Sequence, residues 1–282
     1  MSKSTKFYKN LNKYRKSVQI FSILFLISIP ILILFDIRYI IGNMYSISFW
    51  DLDIVDPAMM VQTIVLSKEF YLPLLIAALI PIGLALVFGR VFCSWMCPYN
   101  TLLELLEPRW LKKIQRKIFN GKRKSNVNPK PYVYWIIYAL LILITLVIGI
   151  PLFTWISMPG IISSEIFSAI IGLGIGVCSI VFIIVFLTEV IIGKRYWCKY
   201  FCPVGATLAL FKTKYTMHIN HDADTCDCTA NAEPCGNNCP LELNPKEKNL
   251  YPYCFNCGRC IKVCELTGNK ALSFSFNNKI KN

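Results

Sequence analysis

The chain has 282 residues, of which 55% are hydrophobic, and its mean hydropathy is +0.50. That composition excludes an ordinary soluble domain, because the apolar residues are concentrated in long runs. The net charge of +14 does not require a nucleic-acid partner, since the basic residues cluster beside those runs and are explained as topology signals near anionic lipid.

Four apolar runs are long enough to cross the bilayer core, which takes about 20 residues. They cover residues 18–35, 70–89, 132–155 and 166–187. We therefore predict an α-helical integral membrane protein with four transmembrane helices. The first run is too long for a cleaved signal peptide and no small-residue cleavage site follows it, so we expect an uncleaved span.

The distribution of charge predicts the orientation in the membrane. Lysine and arginine are concentrated in residues 1–17, 109–130 and 194–199, whereas the loops at 42–70 and 156–165 contain almost none. Basic residues mark the cytoplasmic side. We expect a multi-pass protein of the cytoplasmic (inner) membrane with both termini cytoplasmic, in which residues 1–17 form a basic tail.

The same cysteine motif follows the second and the fourth apolar run. The segment RVFCSWMCPYNTLLELL aligns without a gap with RYWCKYFCPVGATLALF. This duplication predicts that the membrane domain, residues 18–213, consists of two repeated halves. Repeats of this kind often share a site at their interface.

Each motif carries two cysteines with the spacing Cys-x-x-x-Cys-Pro. On one helix, residues i and i+4 share a face, so Cys93 with Cys97 and Cys198 with Cys202 would form two half-sites. Three uses remain open: a redox metal site such as a further iron–sulfur cluster, a thiol relay or transient metal-binding site, and packing as small hydrophobes. The lone Cys178 is expected to pack as a hydrophobe.

The C-terminal segment, residues 214–282, carries eight of the thirteen cysteines. On a reducing cytoplasmic face, closely spaced cysteines indicate metal ligands rather than disulfides. In CFNCGRCIKVC, three thiolates can hold three irons of one cluster, while the fourth cysteine serves a second cluster. We predict a small α+β ferredoxin-like module with two [4Fe–4S] clusters, in which ALSFSF forms a strand.

The crossed ligand pattern of two-cluster ferredoxins assigns the cysteines of this module. One cluster would be held by Cys254, Cys257, Cys260 and Cys239, and the other by Cys226, Cys228, Cys235 and Cys264. The stretch CDCTANAEPC departs from the regular spacing. The second cluster is therefore either intact, lost, or bound with one of Cys226 and Cys228 as a spectator.

Two further features concern electron donors. The only histidines, His218 and His221, lie outside the apolar runs, so a transmembrane haem with histidine ligands is not expected. We interpret both as solvated loop residues. Polar groups that could serve a quinol site are Asp36, Arg38, Trp50, Asp51, Asp53, Asp56, Gln62 and Glu189, although each also has an ordinary structural explanation.

Taken together, GRVFCSWMCP, WCKYFCPVGA, DPAMM and the motif from Cys254 to Cys264 resemble the NapH/MauN family. That resemblance implies the membrane iron–sulfur subunit of a quinol dehydrogenase serving periplasmic nitrate or nitrous oxide reductase. It implies a quinol donor, a ferredoxin-type partner of the NapG kind and a c-type cytochrome.

Two other functions are compatible with these motifs. Copper-oxidase accessory proteins also combine membrane Cys-x-x-x-Cys-Pro motifs with ferredoxin clusters, so the chain could handle a metal or assemble a cofactor, for example by reducing copper. A membrane scaffold with purely structural clusters is the third interpretation.

Overall fold

The computed structural model describes residues 3–36, 39–50, 52–106, 128–172, 176, 178–223, 225–226, 234–247, 250–267 and 271–276. The helices are α1 Lys3–Leu34, α2 Pro57–Ser67, α3 Leu72–Phe88, α4 Val91–Trp95, α5 Pro98–Leu105, α6 Pro131–Ile148, α7 Leu152–Ile156, α8 Met158–Ile171, α9 Cys178–Ile192, a π-helical turn Trp197–Phe201, α10 Pro203–Leu210, α11 Pro234–Asn237 and α12 Arg259–Leu266. The strands are β1 Ile40–Gly42, β2 Ser46–Phe49, β3 Leu52–Val55, β4 His218–His221 and β5 Leu272–Ser275.

Two of these helices are long and apolar enough to cross a membrane, namely Asn10–Leu34 within α1 and Pro131–Ile148. A third crossing results if α3 and the segment Val91–Leu105, which are bent by 87° relative to each other, count as one span. The chain is thus mainly helical, with apolar helices consistent with a membrane protein.

The fourth apolar run does not form one continuous helix. Helix α8 ends at Ile171, where Gly172 takes a φ of +81°, and α9 begins at Cys178. A positive φ is easily adopted only by glycine and ends the helical hydrogen bonding. Hydropathy alone could not detect this break, because the residues on both sides of it are equally apolar.

The repeat extends beyond the cysteine motifs to a short helix in each half. Helix α2 begins at Pro57 and α8 has Pro159 in its first turn. Ala58 of α2 packs with Val204 of α10 in one cluster, and Met158 of α8 packs with Cys97 in another. Both short helices therefore begin beside a cysteine motif, and α2 does not lie in a separate outer loop.

A small antiparallel sheet joins the two halves. Strands β1, β2 and β3 pair in that order. In the hairpin between β1 and β2, the Tyr45 hydroxyl donates to the Thr154 carbonyl at 2.6 Å, and its ring lies directly against Gly160. The absence of a side chain at Gly160 allows this close approach of the sheet to α8.

The first half of α1 packs on the C-terminal segment. Tyr8 contacts Phe274 of β5 with ring centroids 6.4 Å apart, and the buried Leu11 lies against Gly258. Strand β5 pairs with β4, so the predicted strand in ALSFSF is present. The predicted basic tail is helical from Lys3 and lies on the same side of the molecule as α12.

Candidate metal centres

Each Cys-x-x-x-Cys-Pro motif spans a helix break rather than a single helix. Cys97 has φ −62° and ψ 120°, and Cys202 has φ −68° and ψ 114°. A proline forces its predecessor out of the helical region and starts a helix readily at its first position. The second cysteine of each pair therefore precedes a new helix, α5 or α10, and the shared helical face expected from i, i+4 spacing is not the geometry that occurs.

The four motif cysteines meet in one cavity, here called the paired-motif cavity. Cys93, Cys97, Cys198 and Cys202 all line it. The other wall residues that matter below are Arg90, Tyr99, Asn100, Met158, Pro159 and Phe255. The two halves of the duplicated domain thus contribute one pair of thiols each, and the beginning of α8 closes the cavity.

Arg90 provides a test of what this cavity can hold. The guanidinium is buried, and its charge lies close to Cys93, Cys198 and Cys202. Its Nη1 donates to the Pro252 carbonyl at 2.6 Å and its Nη2 to the Cys198 carbonyl at 3.1 Å. Among the described residues no carboxylate pairs with it, and its Nε has no hydrogen-bond partner. A buried cation of this kind fits an anionic metal–thiolate group.

A second cavity, here called the module cavity, brings together another set of four cysteines. Cys239, Cys254, Cys257 and Cys260 line it. The loop between them turns tightly because Asn256 and Gly258 have φ values of +52° and +68°. Asn and Gly are the residues that adopt this conformation most readily. These are the four cysteines that the crossed ferredoxin pattern groups together.

The surroundings of the module cavity also fit an anionic cluster. Arg15 of α1 is 1% exposed and its charge lies near Cys257. Within the described part of the chain, its Nε and Nη1 have no hydrogen-bond partner. Burial raises the pKa of Cys239 to about 11 and that of Cys254 to about 12. Metal binding must therefore release protons from these thiols.

The thiols surround cavities rather than single points. In the described ranges, no three His, Cys, Asp or Glu side chains converge closely enough to hold one metal ion. An iron–sulfur cluster differs from a single ion, because each thiolate binds a different iron of a polynuclear group. The arrangement is therefore suited to a polynuclear cluster.

The remaining predicted ligands lie beyond the module cavity. Cys226, Cys235 and Cys264 pack in one apolar group around Ile261, together with Cys260. Cys228, the fourth residue predicted for this site, lies outside the described residues. Cys178 packs in the apolar group that includes Met158 and Cys97, but it does not line the paired-motif cavity.

The two cavities share a wall. Phe255, which lies between Cys254 and Asn256, lines both of them. Ser94, next to Cys93, donates to the Phe255 carbonyl at 2.7 Å. The thiol sites of the membrane domain and of the C-terminal segment are therefore adjacent, with Phe255 in the wall of both cavities.

A buried ionic cluster, here called the Glu104 cluster, connects the same parts of the chain. Glu104 of α5 binds Arg15 at 2.8 Å, Arg259 at 2.9 Å and Arg195 at 3.7 Å. Asn100 accepts a hydrogen bond from Arg195 and donates to Glu104 at 3.2 Å. No local pattern in the sequence predicts this cluster. Its members come from distant segments, and Arg15 and Arg259 are 244 positions apart.

The other polar candidates have structural partners. Glu189 accepts hydrogen bonds from the Tyr99 hydroxyl at 2.7 Å and the Trp197 amide at 2.6 Å. Asp56 accepts from the Ala58 amide at 3.2 Å and caps α2, while Gln62 donates to Thr154 at 3.0 Å. Asp51 and Arg38 lie outside the described residues. His218 and His221 are the ends of strand β4 rather than loop residues.

Comparison with known proteins identifies the kind of domain that the paired motifs belong to. A family model described as a 4Fe-4S binding domain matches residues 70–118 and 173–214, the two segments that carry the paired motifs. No solved structure matches the chain significantly.

Three relatives illustrate the range of similar proteins. An uncharacterized protein of Methanocaldococcus jannaschii is 29% identical over 72% of this chain and 79% of its own length. The ferredoxin-type protein NapH of Haemophilus influenzae is 29% identical over 72% of this chain and 68% of its own. The methylamine utilization ferredoxin-type protein MauN of Paracoccus denitrificans is 29% identical over 67% of this chain and 62% of its own. The chain is therefore a homologue of the NapH and MauN ferredoxin-type proteins and carries a 4Fe-4S binding domain.

Proposed function

We propose that the protein is the membrane iron–sulfur subunit of a quinol dehydrogenase. It takes electrons from a membrane quinol and passes them toward a periplasmic respiratory reductase, with a NapG-like ferredoxin-type subunit and a c-type cytochrome as partners. The domain boundaries are those given above, with four spans in residues 18–213, a two-cluster module in residues 214–282 and both termini on the cytoplasmic side of the inner membrane.

The observation that carries this proposal is the shared wall of the two thiol-lined cavities. Phe255 lines the paired-motif cavity and the module cavity alike, and the group of Cys226, Cys235 and Cys264 adjoins the latter through Cys260. Adjacent redox sites of this kind suit transfer of electrons from one to the next. The clusters supply the redox chemistry, while the protein positions them and adjusts their surroundings.

Within the proposal, each group of cysteines has one role. Cys239, Cys254, Cys257 and Cys260 hold one [4Fe–4S] cluster, and Cys226, Cys228, Cys235 and Cys264 hold the second. Cys93, Cys97, Cys198 and Cys202 hold a third redox metal group. Arg90 and Arg15 offset the negative charge of the metal–thiolate groups, since both are buried beside cysteines.

The test is the iron and acid-labile sulfide content per chain after anaerobic purification. About twelve irons are expected, falling to about eight when Cys93, Cys97, Cys198 and Cys202 are all changed to Ser. Cys178→Ser is the matched control and should retain all the iron, because this thiol packs outside the cavity walls. About eight irons in every variant would mean that the paired motifs hold no cluster.

One observation favours the second candidate, a copper-handling factor. The buried thioether of Met158 lines the paired-motif cavity beside the four thiols, and Cys with Met is a ligand set that selects Cu(I). Tight, stoichiometric copper together with reduction of Cu(II) would support this function. Reduction of the clusters by quinol, with the partner subunit present, would support the dehydrogenase, and its absence would overturn it.

A further inference from the structure

We propose that the cleft between the end of α3, helix α10 and strand β4 binds the quinol ring, an inference that rests on the proposed function. This cleft, here called the α3–β4 cleft, is lined by Gly89, Lys212, His218, Tyr251, Cys254 and Asn256. It is separate from the loop between the first two apolar runs, where the acidic residues of the sequence lie.

The position of Cys254 connects the cleft to the redox sites. Cys254 lines both the α3–β4 cleft and the module cavity. A ring bound in the cleft would therefore contact a cysteine that we assign as a cluster ligand. In the part of the chain that the structure describes, the paired-motif cavity is lined mostly by apolar and thiol groups and has no histidine or lysine in its wall.

The cleft offers one donor and one acceptor for the two oxygens of a quinol. Lys212 lies 4.4 Å above the ring of Tyr251, whose hydroxyl is fixed by donating to the Ala209 carbonyl at 2.5 Å. No described carboxylate pairs with Lys212, so its ammonium can donate to a ring oxygen. Nδ1 of His218 lies 3.1 Å from the Thr216 carbonyl, which assigns the proton to Nδ1 and leaves Nε2 to accept from a hydroxyl.

The rim of the cleft suits a molecule that arrives from lipid. Phe88, Leu210 and Tyr215 are 40%, 48% and 74% exposed, and each is next in sequence to a residue that lines the cleft, namely Gly89, Ala209 and Thr216. Phe88 ends the apolar helix α3, whose outer side chains are largely exposed. Exposed apolar groups around a polar cleft at the end of such a helix match a polar ring carrying a long hydrocarbon tail.

The chemistry of the step balances with the redox groups already proposed. Oxidation of the quinol to the quinone breaks two O–H bonds and releases two electrons and two protons. Cys254, Cys257, Cys260 and Cys239 would hold a cluster that accepts these electrons one at a time, with the first passed on to the neighbouring redox groups before the second arrives, and the protons would pass to water. Lys212 and His218 hold the ring in place while this occurs.

The experiment measures binding directly, with the full-length chain carrying its clusters in lipid nanodiscs. The probe is a quinol analogue, 2-heptyl-4-hydroxyquinoline N-oxide, whose fluorescence is quenched on binding. We expect Lys212→Met and His218→Leu each to weaken the affinity about tenfold or more, because each replaces a polar contact to the ring with an apolar side chain. Lys214→Met is the matched control, since Lys214 is exposed and does not line the cleft, and its affinity should equal that of the unchanged chain.

Iron content and the EPR spectrum of the reduced protein confirm that each variant is folded. Unchanged analogue affinity in both cleft variants would overturn the proposal, whether or not the quinol reduces the clusters. If the analogue binds in the cleft but quinol fails to reduce the clusters with the partner subunit present, the proposed function is wrong and the binding site stands. The two failures are therefore distinguishable.

Discussion

Glu104 combines three arginines from distant segments of the chain in one buried cluster. Arg15 and Arg195 are 1% and 2% exposed at the side chain, and Glu104 is 6% exposed. The positive charge of Arg15 lies beside Cys257, and the two interact favourably. Glu104 is the carboxylate that all three arginines contact, so its removal weakens the compensation of several buried charges at once.

We expect Glu104→Gln to lower the free energy of unfolding by about 3–5 kcal/mol, since it removes the carboxylate that contacts the buried Arg15 and Arg195. Thermal unfolding of the purified protein, followed by circular dichroism, measures the loss.

Glu242→Gln is the matched control. The pair of Glu242 with Lys194 spans 3.3 Å, and its side chains are 21% and 33% exposed. Exposed ion pairs contribute about 0–1 kcal/mol. Equal effects of the two substitutions would contradict a special role for the Glu104 cluster.

For single residues, the cysteine spacing groups the thiols that line each cavity, but it does not indicate the charged residues beside them. The groups at Cys254 to Cys260 and at the paired motifs follow from spacing, because tight thiol spacing is set by the geometry of the metal group. Glu104, Arg90 and Arg15 have no such spacing, and their burial depends on contacts between distant segments. Arg90 was counted only as part of a repeated motif, although it lines two cavities.

Among the local elements, the loop from Cys254 to Cys260 depends most on a single backbone conformation. Asn256 has a φ of +52°, and its amide donates to the Phe88 carbonyl at 3.1 Å and to the Met217 carbonyl at 2.7 Å. The loop is thereby attached to the end of α3 and to the segment before β4.

Replacing Asn256 with Gly or with Ala separates the contribution of its side-chain hydrogen bonds from that of its backbone conformation. Both variants lose the amide hydrogen bonds, but only alanine is strained in the left-handed conformation. We expect Asn256→Ala to be less stable than Asn256→Gly by about 1 kcal/mol. Unfolding of both proteins under identical conditions provides the comparison, and equal stabilities would show that the backbone conformation relaxes.

The contact between the β1–β2 hairpin and α8 gives a second prediction at the scale of elements. A Cβ at residue 160 would overlap the Tyr45 ring, so we expect Gly160→Ala to destabilise the protein by about 1–3 kcal/mol through overpacking. Gly83→Ala in α3 is the control, because no atom lies near its added Cβ and alanine favours a helix by about 0.5–1 kcal/mol. Reduced stability only at residue 160 is the expected outcome in a thermal unfolding assay.

The sequence predicted the existence of the apolar elements better than their ends. The first three runs correspond to α1, α3 and α6, but the fourth is interrupted at Gly172. The short helices α2 and α8 were missed as repeat elements. The sequence shows that both helices are apolar. Their position in the repeat depends on packing against α10 and Cys97, and a hydropathy pattern carries no information about such contacts.

For the whole molecule, the packing of α1 on the C-terminal segment places both ends of the described chain together. Tyr8 contacts Phe274, and Arg15 is joined to Arg259 through Glu104. The basic residues before the first span agree with this arrangement under the positive-inside rule.

Reporter fusions test the proposed topology. We expect a fluorescent reporter that matures only in the cytoplasm to be active at both termini, because both lie on the side of the module. The same reporter inserted after Ser67, at the far end of α2, should be inactive. Activity at only one terminus would contradict the proposed topology.

The assembly of the paired-motif cavity has a consequence for how the protein is made. The beginning of α8 and both cysteine motifs must be in place before the cavity exists, and Phe255, near the end of the chain, completes its wall. A ribosome-bound chain that has inserted only its first half presents two isolated thiols and no enclosure. On the proposed assignment, metal loading at this position is therefore a late event in biogenesis, and we expect a chain that ends before Phe255 to lose part of the cavity wall.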